Sequence, residues 1–391
     1  MIQPPDDLPK PDSAALAHSE RLVDIVRESI AEDGPIPFSH YMQAVLYHPG
    51  LGYYAAGAQK FGAAGDFVTA PELSPLFIAC MAEQAADVLR VVGGEVLELG
   101  AGTGTLAAGL LNALAEQNQL PSRYCIVEAS AELQRRQRDT IAALAPHALD
   151  RVVWLQALPE NFTGFVLGNE VMDAFPVERF RIMQSGPVAI GTDWQDGRFR
   201  DTEMASSADL SDAIAALQGD LAMPMPEGYI SDVCLYLAPW IRSLSAMLTR
   251  GAIVLLDYGY PRQEYYAPER HGGTLRCHYR HRVHADPYLW PGLQDIGAHV
   301  DFTALVEAGV NAGLTLEGFT TQAQFLLATQ LLQHAERVSA QSPAERVQVS
   351  QQVQQLTLPG AMGERFLAVG FSRGMDAVLL GFTGADHSHR L

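Results

Sequence analysis

Short apolar runs recur along the chain and alternate with longer stretches that have helical periodicity. Five of these runs are typical of buried strands, and they lie at 95–99, 124–127, 152–155, 164–167 and 252–257. Strands that alternate with helices predict a parallel sheet with helices on both faces. Two further apolar runs, at 314–319 and 366–371, are also strand candidates. The pattern therefore predicts an α/β fold.

The N-terminal part of the chain has a helical pattern. Apolar residues between Leu16 and Ile30 recur at helical spacing, which predicts an amphipathic helix that ends near Gly34. A second helix is expected from 39 to about 47. It is followed by a turn and then by a glycine-rich loop at 60–67, which we expect to act as a lid.

This pattern suggests a division of the chain into two regions. Residues 1–75 would form an N-terminal helical and lid region, and residues 76–391 would form the main domain. We find no internal repeat. Stretches that do not fit the alternation of strands and helices are expected to be insertions, at about 184–228, 260–300 and 321–360.

The densest chemical signal is a glycine-rich run at 98–105 (ELGAGTGT) between a predicted strand and a predicted helix. Alternate glycines let the chain turn sharply and leave the first backbone amides of the helix open to a ligand. Such a loop indicates a nucleotide cofactor. A dinucleotide fingerprint can be read at 102–107, which would indicate nicotinamide binding. That register leaves out Gly100 and does not explain Glu98, whose carboxylate is costly at the end of a buried strand without a donor.

S-adenosylmethionine supplies such a donor through the ammonium group of its methionine part. The pattern Glu-x-Gly-x-Gly-x-Gly resembles motif I of class I methyltransferases, in which the acidic residue lies near that ammonium group. This resemblance favours S-adenosylmethionine over a nicotinamide cofactor. The candidate cofactor-binding residues in this run are Glu98, Gly100, Gly102, Gly104 and Thr105.

Further candidate residues follow the other predicted strands. Glu128 ends the second strand, 24 residues past Gly104, at the edge where open parallel sheets bind ligands. A carboxylate there can accept both ribose hydroxyl groups, although an exposed acid at a strand end is the simpler alternative. Gln156 and Ala157 follow the third strand, where related enzymes meet the adenine ring. Asp257 ends the fifth strand and is a further active-site candidate.

The segment after the fourth strand, 168–177, carries the candidate chemistry for a second substrate. Asn169 is a candidate cofactor contact, and Glu170 and Asp173 are the candidate catalytic residues. Because the two acids are three residues apart, a helical turn ended by Pro176 would bring them to one side. Such a pair could hold a guanidinium group and orient one nitrogen toward a methyl group. Alternatively, Asn169 caps a helix and the acids enrich its first turn.

The charge balance restricts the partners. Acidic residues exceed basic ones by 19 in a chain of 391 residues, which disfavours nucleic acid and anionic membranes and fits a basic protein partner better. Four cysteines lie far apart without C-x-x-C spacing, and no stretch is long and apolar enough to cross a bilayer. The first eleven residues do not resemble a secretion signal. We therefore expect a cytoplasmic protein.

A segment rich in arginine and histidine, 275–284, raises the question of a metal site. His278, His281 and His284 are three residues apart, but the arginines between them would repel a cation. We therefore expect no metal, and we favour a loop or edge element that packs or meets a partner. The groups that would have to complete a metal site are Asp286, His299 and Asp301.

Five segments together resemble the MidA family. They are 48–54 (HPGLGYY), 65–75 (GDFVTAPELSP), 169–176 (NEVMDAFP), 257–261 (DYGYP) and 292–296 (GLQDI), and the similarity extends over about 39–325. The resemblance implies the fold of class I methyltransferases. This is a Rossmann-like, seven-stranded, mostly parallel sheet with a helical N-terminal lid and large insertions, in which 314–319 and 366–371 are the antiparallel closing pair.

The same resemblance implies a function. The family includes a mitochondrial complex I assembly factor that methylates an arginine, so we expect transfer from S-adenosylmethionine to a protein arginine, with symmetric dimethylation as the implied product. The acceptor would be a subunit of a respiratory complex or another arginine-bearing protein. Two alternatives remain open: an assembly protein that binds S-adenosylmethionine with little turnover, and a nicotinamide-dependent oxidoreductase.

Overall fold

The computed structural model describes residues 8–55, 69–339 and 343–391, so the predicted lid loop at 60–67 lies outside the described residues. The chain divides into two compact units. The unit that we call the sheet unit comprises Val68–Val171, Trp240–Gly259 and Phe302–Leu391. The second unit comprises Met1–Phe67, Met172–Pro239 and Tyr260–Asp301. The division into domains 1–75 and 76–391 stays a prediction.

The sheet unit is built on a large and mostly parallel sheet. Its strands lie in the order β14 (Thr315–Thr321), β15 (Phe366–Arg373), β9 (Leu248–Tyr260), β4 (Phe162–Asn169), β1 (Glu95–Leu99), β2 (Tyr124–Val127) and β3 (Val152–Leu155). Strand β1 is parallel to β2 and β4, which are parallel to β3 and β9 in turn. Strand β15 is antiparallel to both β9 and β14. The predicted parallel strands and the antiparallel closing pair are confirmed.

The strand order reverses between β1 and β4. The chain passes from β1 to β2 and β3 on one side, and then returns to add β4 on the other side of β1. Leu99 of β1 is paired with Gly168 of β4, so these strands reach the carboxyl edge of the sheet at the same level. Open α/β sheets bind their ligands at such a switch point.

Helices cover this sheet and bury its apolar faces. Helix α4 shows how their ends are fixed: the Ser74 hydroxyl oxygen accepts from the Leu76 amide, and the helix ends at Gly93, which has a φ of +65°. No helix in the described ranges is long and apolar enough to cross a membrane. The helices are α3 (Ala70–Leu73), α4 (Pro75–Val92), α5 (Thr105–Glu116), α6 (Ala131–Leu144), α8 (Leu237–Met247), α10 (Phe302–Asn311), α11 (Gln322–Ala328), α12 (Leu331–Ser339) and α13 (Pro343–Thr357).

The second unit combines the N-terminal helices with two small antiparallel sheets, ordered β7-β6-β5-β8 and β11-β10-β12. Both predicted N-terminal helices are confirmed, and the first ends at Gly34 with a φ of +83°. The helices are α1 (Ser13–Asp33), α2 (Phe38–Tyr47), α7 (Ala208–Asp220) and α9 (Arg262–Tyr265). The strands are β5 (Glu178–Met183), β6 (Gly186–Gln195), β7 (Arg198–Met204), β8 (Ile230–Val233), β10 (Arg276–Tyr279), β11 (Arg282–His284), β12 (Asp295–Gly297) and β13 (Val300–Asp301).

The segment rich in arginine and histidine forms a hairpin of the second unit. Strands β10 and β11 are joined through Arg280 and His281, whose φ angles of +46° and +61° are typical of a type I′ turn. His278 on β10 pairs with Val283 on β11, and Cys277, the residue before His278, pairs with His284. Within the described part of the chain, no group of three or more histidine, cysteine or acidic residues could hold a metal ion.

Candidate active site

The predicted glycine loop connects β1 to α5 at the carboxyl edge of the sheet. Gly100, Gly102 and Gly104 have φ angles of +66°, +52° and +85°, a region that favours glycine. A Cβ atom on Gly104 would lie 2.9 Å from the Cα atom of Gln137, whereas one on Gly102 would have no atom within 4 Å. The loop is therefore closely packed on one side and open to a ligand on the other.

Hydroxyl groups fix the same loop from within the sheet unit. Thr103 donates to Oε1 of Glu72 at 3.1 Å, and its oxygen lies 2.9 Å from the hydroxyl oxygen of Thr105. Since Thr103 has one proton to donate, Thr105 is the donor in the second bond. Glu72 belongs to α3, so this short helix is tied to the cofactor loop.

Glu98 is a buried carboxyl group just before the loop. Only 2% of its surface is exposed, and its Oε2 accepts from the Tyr124 hydroxyl at 2.6 Å. Burial raises the pKa of Glu98 to about 7, and the hydrogen bond from Tyr124 opposes this rise. A cationic group at this position would favour the ionised carboxylate. This is the chemistry expected of a residue that meets an ammonium group.

Glu128 is held at the end of β2 by hydrogen bonds to its carboxylate. Its Oε1 accepts from the Ser130 amide at 2.8 Å, and its Oε2 accepts from the side chain of Gln137 at 3.2 Å. The same Gln137 amide donates to the Gly102 carbonyl oxygen at 3.2 Å, and its oxygen accepts from Trp154 at 2.9 Å. Gln137 is fully buried and was not predicted from the sequence. It connects the glycine loop to the carboxylate expected to bind ribose.

Gln156 and Ala157 directly follow β3, as expected from the sequence. Both residues are exposed and form a bend. Their contact with an adenine ring stays a prediction, because it depends on position alone.

The segment after β4 differs from the prediction. Strand β4 extends to Asn169, and Glu170 then adopts a φ of +54° with its amide donating to the Leu256 carbonyl oxygen at 2.9 Å. Further on, the Phe175 amide donates to the Met172 carbonyl oxygen at 3.1 Å in a turn. The helical turn predicted here is wrong, as is the alternative of a capped helix, because the chain remains bonded to β9 instead of coiling.

Both carboxylate oxygens of Glu170 accept a hydrogen bond. Oε1 accepts from Asn169 Nδ2 and Oε2 accepts from the Tyr258 hydroxyl, each at 3.0 Å. The Oδ1 atom of Asn169 is buried and has no hydrogen-bond partner among the described residues. Burial raises the pKa of Glu170 to about 7, and the negative charge of Asp257 adds to this rise. The group is therefore predisposed to receive a cation.

The described hydrogen bonds of the Asp257 carboxylate indicate a mainly structural role. It is fully buried, and its two oxygens accept from the Val171 amide at 3.1 Å and from the Tyr258 amide at 2.8 Å. These bonds fix the backbone on both sides of the β4 and β9 ends. Asp257 thus shapes the site around Glu170.

Asp173, the other predicted catalytic residue, belongs to the second unit. It is half-buried, and its backbone carbonyl oxygen accepts from the Ala298 amide at 2.9 Å. A carboxylate oxygen of Asp173 lies 3.6 Å from the position that a Cβ atom on Gly297 would take. A Cβ atom at this position would therefore make only ordinary van der Waals contact with Asp173.

The residues at the switch point fit S-adenosylmethionine. The open side of Gly102 leaves room for a ligand, Glu98 is a buried acid suited to an ammonium group, and Glu128 is a fixed acceptor for hydroxyl groups. The fold and this site define a class I methyltransferase that depends on S-adenosylmethionine.

Comparison with known proteins identifies the family. Residues 80–320 match the model of a family described as "Putative S-adenosyl-L-methionine-dependent methyltransferase". The chain belongs to this family, that of the MidA-like methyltransferases. S-adenosylmethionine is therefore its cofactor, and the nicotinamide alternative is wrong.

Solved structures and curated relatives agree with this assignment. A likely methyl transferase of the COG1565 superfamily from Burkholderia thailandensis, bound to S-adenosyl-homocysteine, is 45% identical with a TM-score of 0.93, and the alignment covers 98% of this chain and 100% of that one. A mitochondrial protein arginine methyltransferase NDUFAF7 homolog from Drosophila melanogaster is 27% identical, over 97% of this chain and 91% of the relative. Human mitochondrial protein arginine methyltransferase NDUFAF7 is 27% identical, over 86% and 80%.

These relatives correct one expectation. The curated relatives just named are mitochondrial, which contradicts the cytoplasmic location expected from the sequence. The expectation relied on the lack of a secretion signal and of an apolar span, and neither feature distinguishes the cytoplasm from the mitochondrion.

Proposed function

We propose that this methyltransferase transfers its methyl group to the guanidinium group of an arginine in a protein substrate. The observation that carries the proposal is the state of Glu170. This acid adopts a φ of +54° at the switch point, and its two carboxylate oxygens accept hydrogen bonds from Asn169 and Tyr258. Non-glycine residues rarely adopt such a backbone conformation, and those that do cluster at functional sites.

Glu170 has the acceptor capacity that a guanidinium group requires. The two carboxylate oxygens together have about four lone-pair sites, and Asn169, Tyr258 and the backbone of Ala70 donate to them. The remaining acceptor site can take an N–H group of a guanidinium in a charge-assisted hydrogen bond. Such binding keeps the positive charge of the guanidinium group beside Glu170 and directs another of its nitrogens away from the carboxylate. We propose that Asp173 contributes a second acid to acceptor binding.

We propose separate roles for the residues of the cofactor loop and its neighbours. Glu98 and the loop glycines would hold the methionine part, with Thr105 at the start of α5, and Glu128 would accept the ribose hydroxyl groups. Gln156 and Ala157 would border the adenine ring. Asn169 would lie between cofactor and acceptor, since its unpartnered Oδ1 can accept from either one.

When bound, S-adenosylmethionine supplies an electrophilic methyl group on a positively charged sulfur. Transfer would form a nitrogen–carbon bond and break the sulfur–carbon bond, and the proton lost from the methylated nitrogen would pass to solvent. Direct displacement depends chiefly on alignment of the two groups. The chain therefore has to orient the guanidinium nitrogen and keep a carboxylate beside the cation, and Glu170 suits both tasks.

The choice of a protein substrate rests on two supports. The names of the Drosophila and human relatives specify protein arginine methyltransferases. The net charge of −19 favours a basic protein surface as partner. A subunit of a respiratory complex, which the family resemblance implies, is the first acceptor to test.

The direct test uses purified protein, S-adenosylmethionine labelled in the methyl group, and lysate of cells that lack this protein. We expect labelled protein bands and, after hydrolysis, labelled methylarginine; symmetric dimethylarginine would support the implied product. Mass spectrometry of respiratory-complex subunits from cells with and without the gene then locates the modified arginine. Label on lysine or glutamine alone would contradict the arginine assignment.

The alternative function is that of an assembly protein that binds S-adenosylmethionine with little turnover. The same reaction distinguishes the two. Sustained production of S-adenosylhomocysteine that depends on lysate protein supports the enzyme, whereas tight cofactor binding without it supports the assembly protein.

A further inference from the structure

Tyr258 is a conspicuous residue near the acceptor site that sequence reasoning did not select as a site residue. It lies in β9, directly after Asp257, and its hydroxyl donates to Glu170 Oε2 at 3.0 Å. Its ring packs against that of Phe366, its partner on β15, with 4.1 Å between the ring centroids. The ring is therefore fixed by the sheet, and the hydroxyl group has a defined position.

The second donor to Glu170 comes from the neighbouring strand. Asn169 at the end of β4 donates to Oε1, so donors from β4 and β9 hold the two carboxylate oxygens. Two bonds from separate strands fix the plane of the carboxylate as well as its location. A guanidinium partner depends on that plane, because its N–H groups lie in one fixed plane.

We propose that Tyr258 is a positioning residue, whose hydroxyl holds the Glu170 carboxylate in the orientation that binds the acceptor guanidinium group. The inference rests on the proposed function, since it assigns Glu170 to the acceptor. Tyr258 itself needs no contact with either substrate. It acts through Glu170, and its loss should therefore affect the acceptor and leave the cofactor nearly unaffected.

Tyr258 also influences the charge of Glu170. The groups that act on this carboxylate are Asp257, whose charge disfavours ionisation, and the donors Tyr258, Asn169 and the backbone of Ala70, which favour it. Removing the Tyr258 hydroxyl should therefore raise the pKa of Glu170 further. A role limited to packing would not change that pKa, because phenylalanine keeps the ring contact with Phe366.

The sheet unit contains a matched pair for a controlled experiment. Tyr124 donates to Glu98 at 2.6 Å, and burial raises the pKa of Glu98 to about 7, as it does for Glu170. Tyr124→Phe and Tyr258→Phe thus remove the same kind of bond, the first at the predicted methionine end and the second at the predicted acceptor end. Only the second should affect the acceptor.

The experiment compares the two variants with the wild type in transfer from labelled S-adenosylmethionine to lysate protein. At saturating cofactor and pH near 7, we expect Tyr258→Phe to lower the acceptor kcat/KM by about 10- to 100-fold, as for a lost bond to a charged group. This decrease in kcat/KM should be smaller at higher pH, because the raised pKa of Glu170 moves the acid limb of the pH profile to higher pH. Calorimetry should show an unchanged Kd for S-adenosylhomocysteine in Tyr258→Phe and a raised Kd in Tyr124→Phe.

A second readout measures Glu170 without any acceptor. Carbon-13 NMR of labelled glutamate carboxyl groups, with the Glu170 signal assigned by its absence in Glu170→Gln, follows its titration. The midpoint should lie at higher pH in Tyr258→Phe than in the wild type and should not move in Tyr124→Phe. If Tyr258→Phe fails to fold, Asn169→Ala removes the other donor and should shift the midpoint in the same direction.

The outcomes separate this inference from the proposed function. An unchanged Glu170 midpoint, or a loss of transfer that is equal at every pH, overturns the positioning role of Tyr258 even if arginine is methylated. A wild-type protein that methylates no arginine overturns the proposed function, and with it the assignment of Tyr258 to acceptor binding, whatever the midpoint does.

Discussion

The side-chain amide of Gln137 donates to the carbonyl oxygen of Gly102 at 3.2 Å, across 35 positions of the sequence. Gln137 lies on α6, the helix that connects β2 to β3, and it also bonds the carboxylate of Glu128. One buried amide thus sets the distance between the glycine loop and the group expected to bind ribose.

Replacing Gln137 should weaken cofactor binding. Gln137→Leu leaves the Gly102 carbonyl oxygen and the Trp154 N–H without this partner, which we expect to cost about 1–3 kcal/mol of unfolding free energy. The Kd for S-adenosylhomocysteine should rise about tenfold or more, since a loop misplaced by a fraction of an ångström loses contacts. Urea unfolding and calorimetry measure both effects.

Gln134 provides the control for this prediction. It lies on the same helix and donates to the backbone carbonyl oxygen of Glu128 at 2.7 Å, but it is less buried than Gln137. Gln134→Leu should therefore raise the Kd less. An equal rise in Kd for the two variants would show that α6 supports the cofactor site as a whole helix, without a particular role for the Gln137 side chain.

The second and third glycines of the loop should respond differently to alanine. Gly104→Ala adds a Cβ atom 2.9 Å from the Cα atom of Gln137, at a φ of +85°, whereas Gly102→Ala adds one in open space at +52°. Both variants pay about 1–2 kcal/mol for the left-handed conformation, and only Gly104→Ala also displaces α6. We expect Gly104→Ala to unfold at a lower urea concentration than Gly102→Ala. Gly102→Ala should instead bind the cofactor more weakly, because its added methyl group lies on the side of the loop that is open to a ligand. The reverse order of stability would contradict the packing described for the loop.

Glu98 should make the stability of the protein depend on pH. Burial disfavours the ionised form and raises its pKa to about 7 in the folded protein, from 4.5 for an unperturbed glutamate. The neutral carboxyl contributes its full stability below pH 4.5, and this contribution disappears as the pH rises through 7. This pH-dependent contribution to the free energy of unfolding totals about 3 kcal/mol, and Glu98→Gln should abolish the pH dependence.

The measurement is urea unfolding without cofactor at several pH values. The difference between Glu98→Gln and the wild type should grow in favour of the variant from pH 4.5 to above 7. Parallel stability curves over this range would mean that Glu98 titrates normally in the folded protein.

Glu170→Gln should separate binding of the donor from transfer. The variant keeps the shape of the side chain but loses its charge, so we expect acceptor kcat/KM to fall about 100-fold or more, with little change in the Kd for S-adenosylhomocysteine. Transfer to lysate protein and calorimetry measure the two quantities. Unchanged transfer would exclude Glu170 from acceptor binding.

Asp173→Asn tests the second predicted acid independently. We expect a smaller loss of acceptor kcat/KM, about tenfold, if Asp173 adds a single interaction with the cation. Urea unfolding of the variant checks that the fold is retained. Normal transfer by this variant would assign acceptor binding to Glu170 without Asp173.

The sequence predicted the central strands well because buried parallel strands are short apolar runs with recognisable ends. It failed at Glu170, where the spacing of two acids suggested a helical turn. The actual conformation is imposed from β9, through Leu256 and the carboxylate of Asp257, 86 positions away from Val171. No local pattern contains that information.

Gln137 was missed for a related reason. Its bonds to Gly102, Glu128 and Trp154 all cross the sheet unit, and the sequence shows only a polar residue in a charged helix. One signal was available: Gln137 lies four residues before Ile141, and these two are the buried positions of α6. A polar residue on the buried stripe of a helix indicates a partner in the core.

The pairing of Leu99 with Gly168 has a consequence for how this enzyme can change over time. The loops that follow these residues are the predicted binding elements for methyl donor and acceptor, and main-chain hydrogen bonds between β1 and β4 keep their starting points level. Segments inserted elsewhere along the chain can lengthen or diverge without altering this spacing. The protein can therefore evolve to bind a new acceptor through changes at its surface, while the distance between the predicted donor and acceptor loops stays constant.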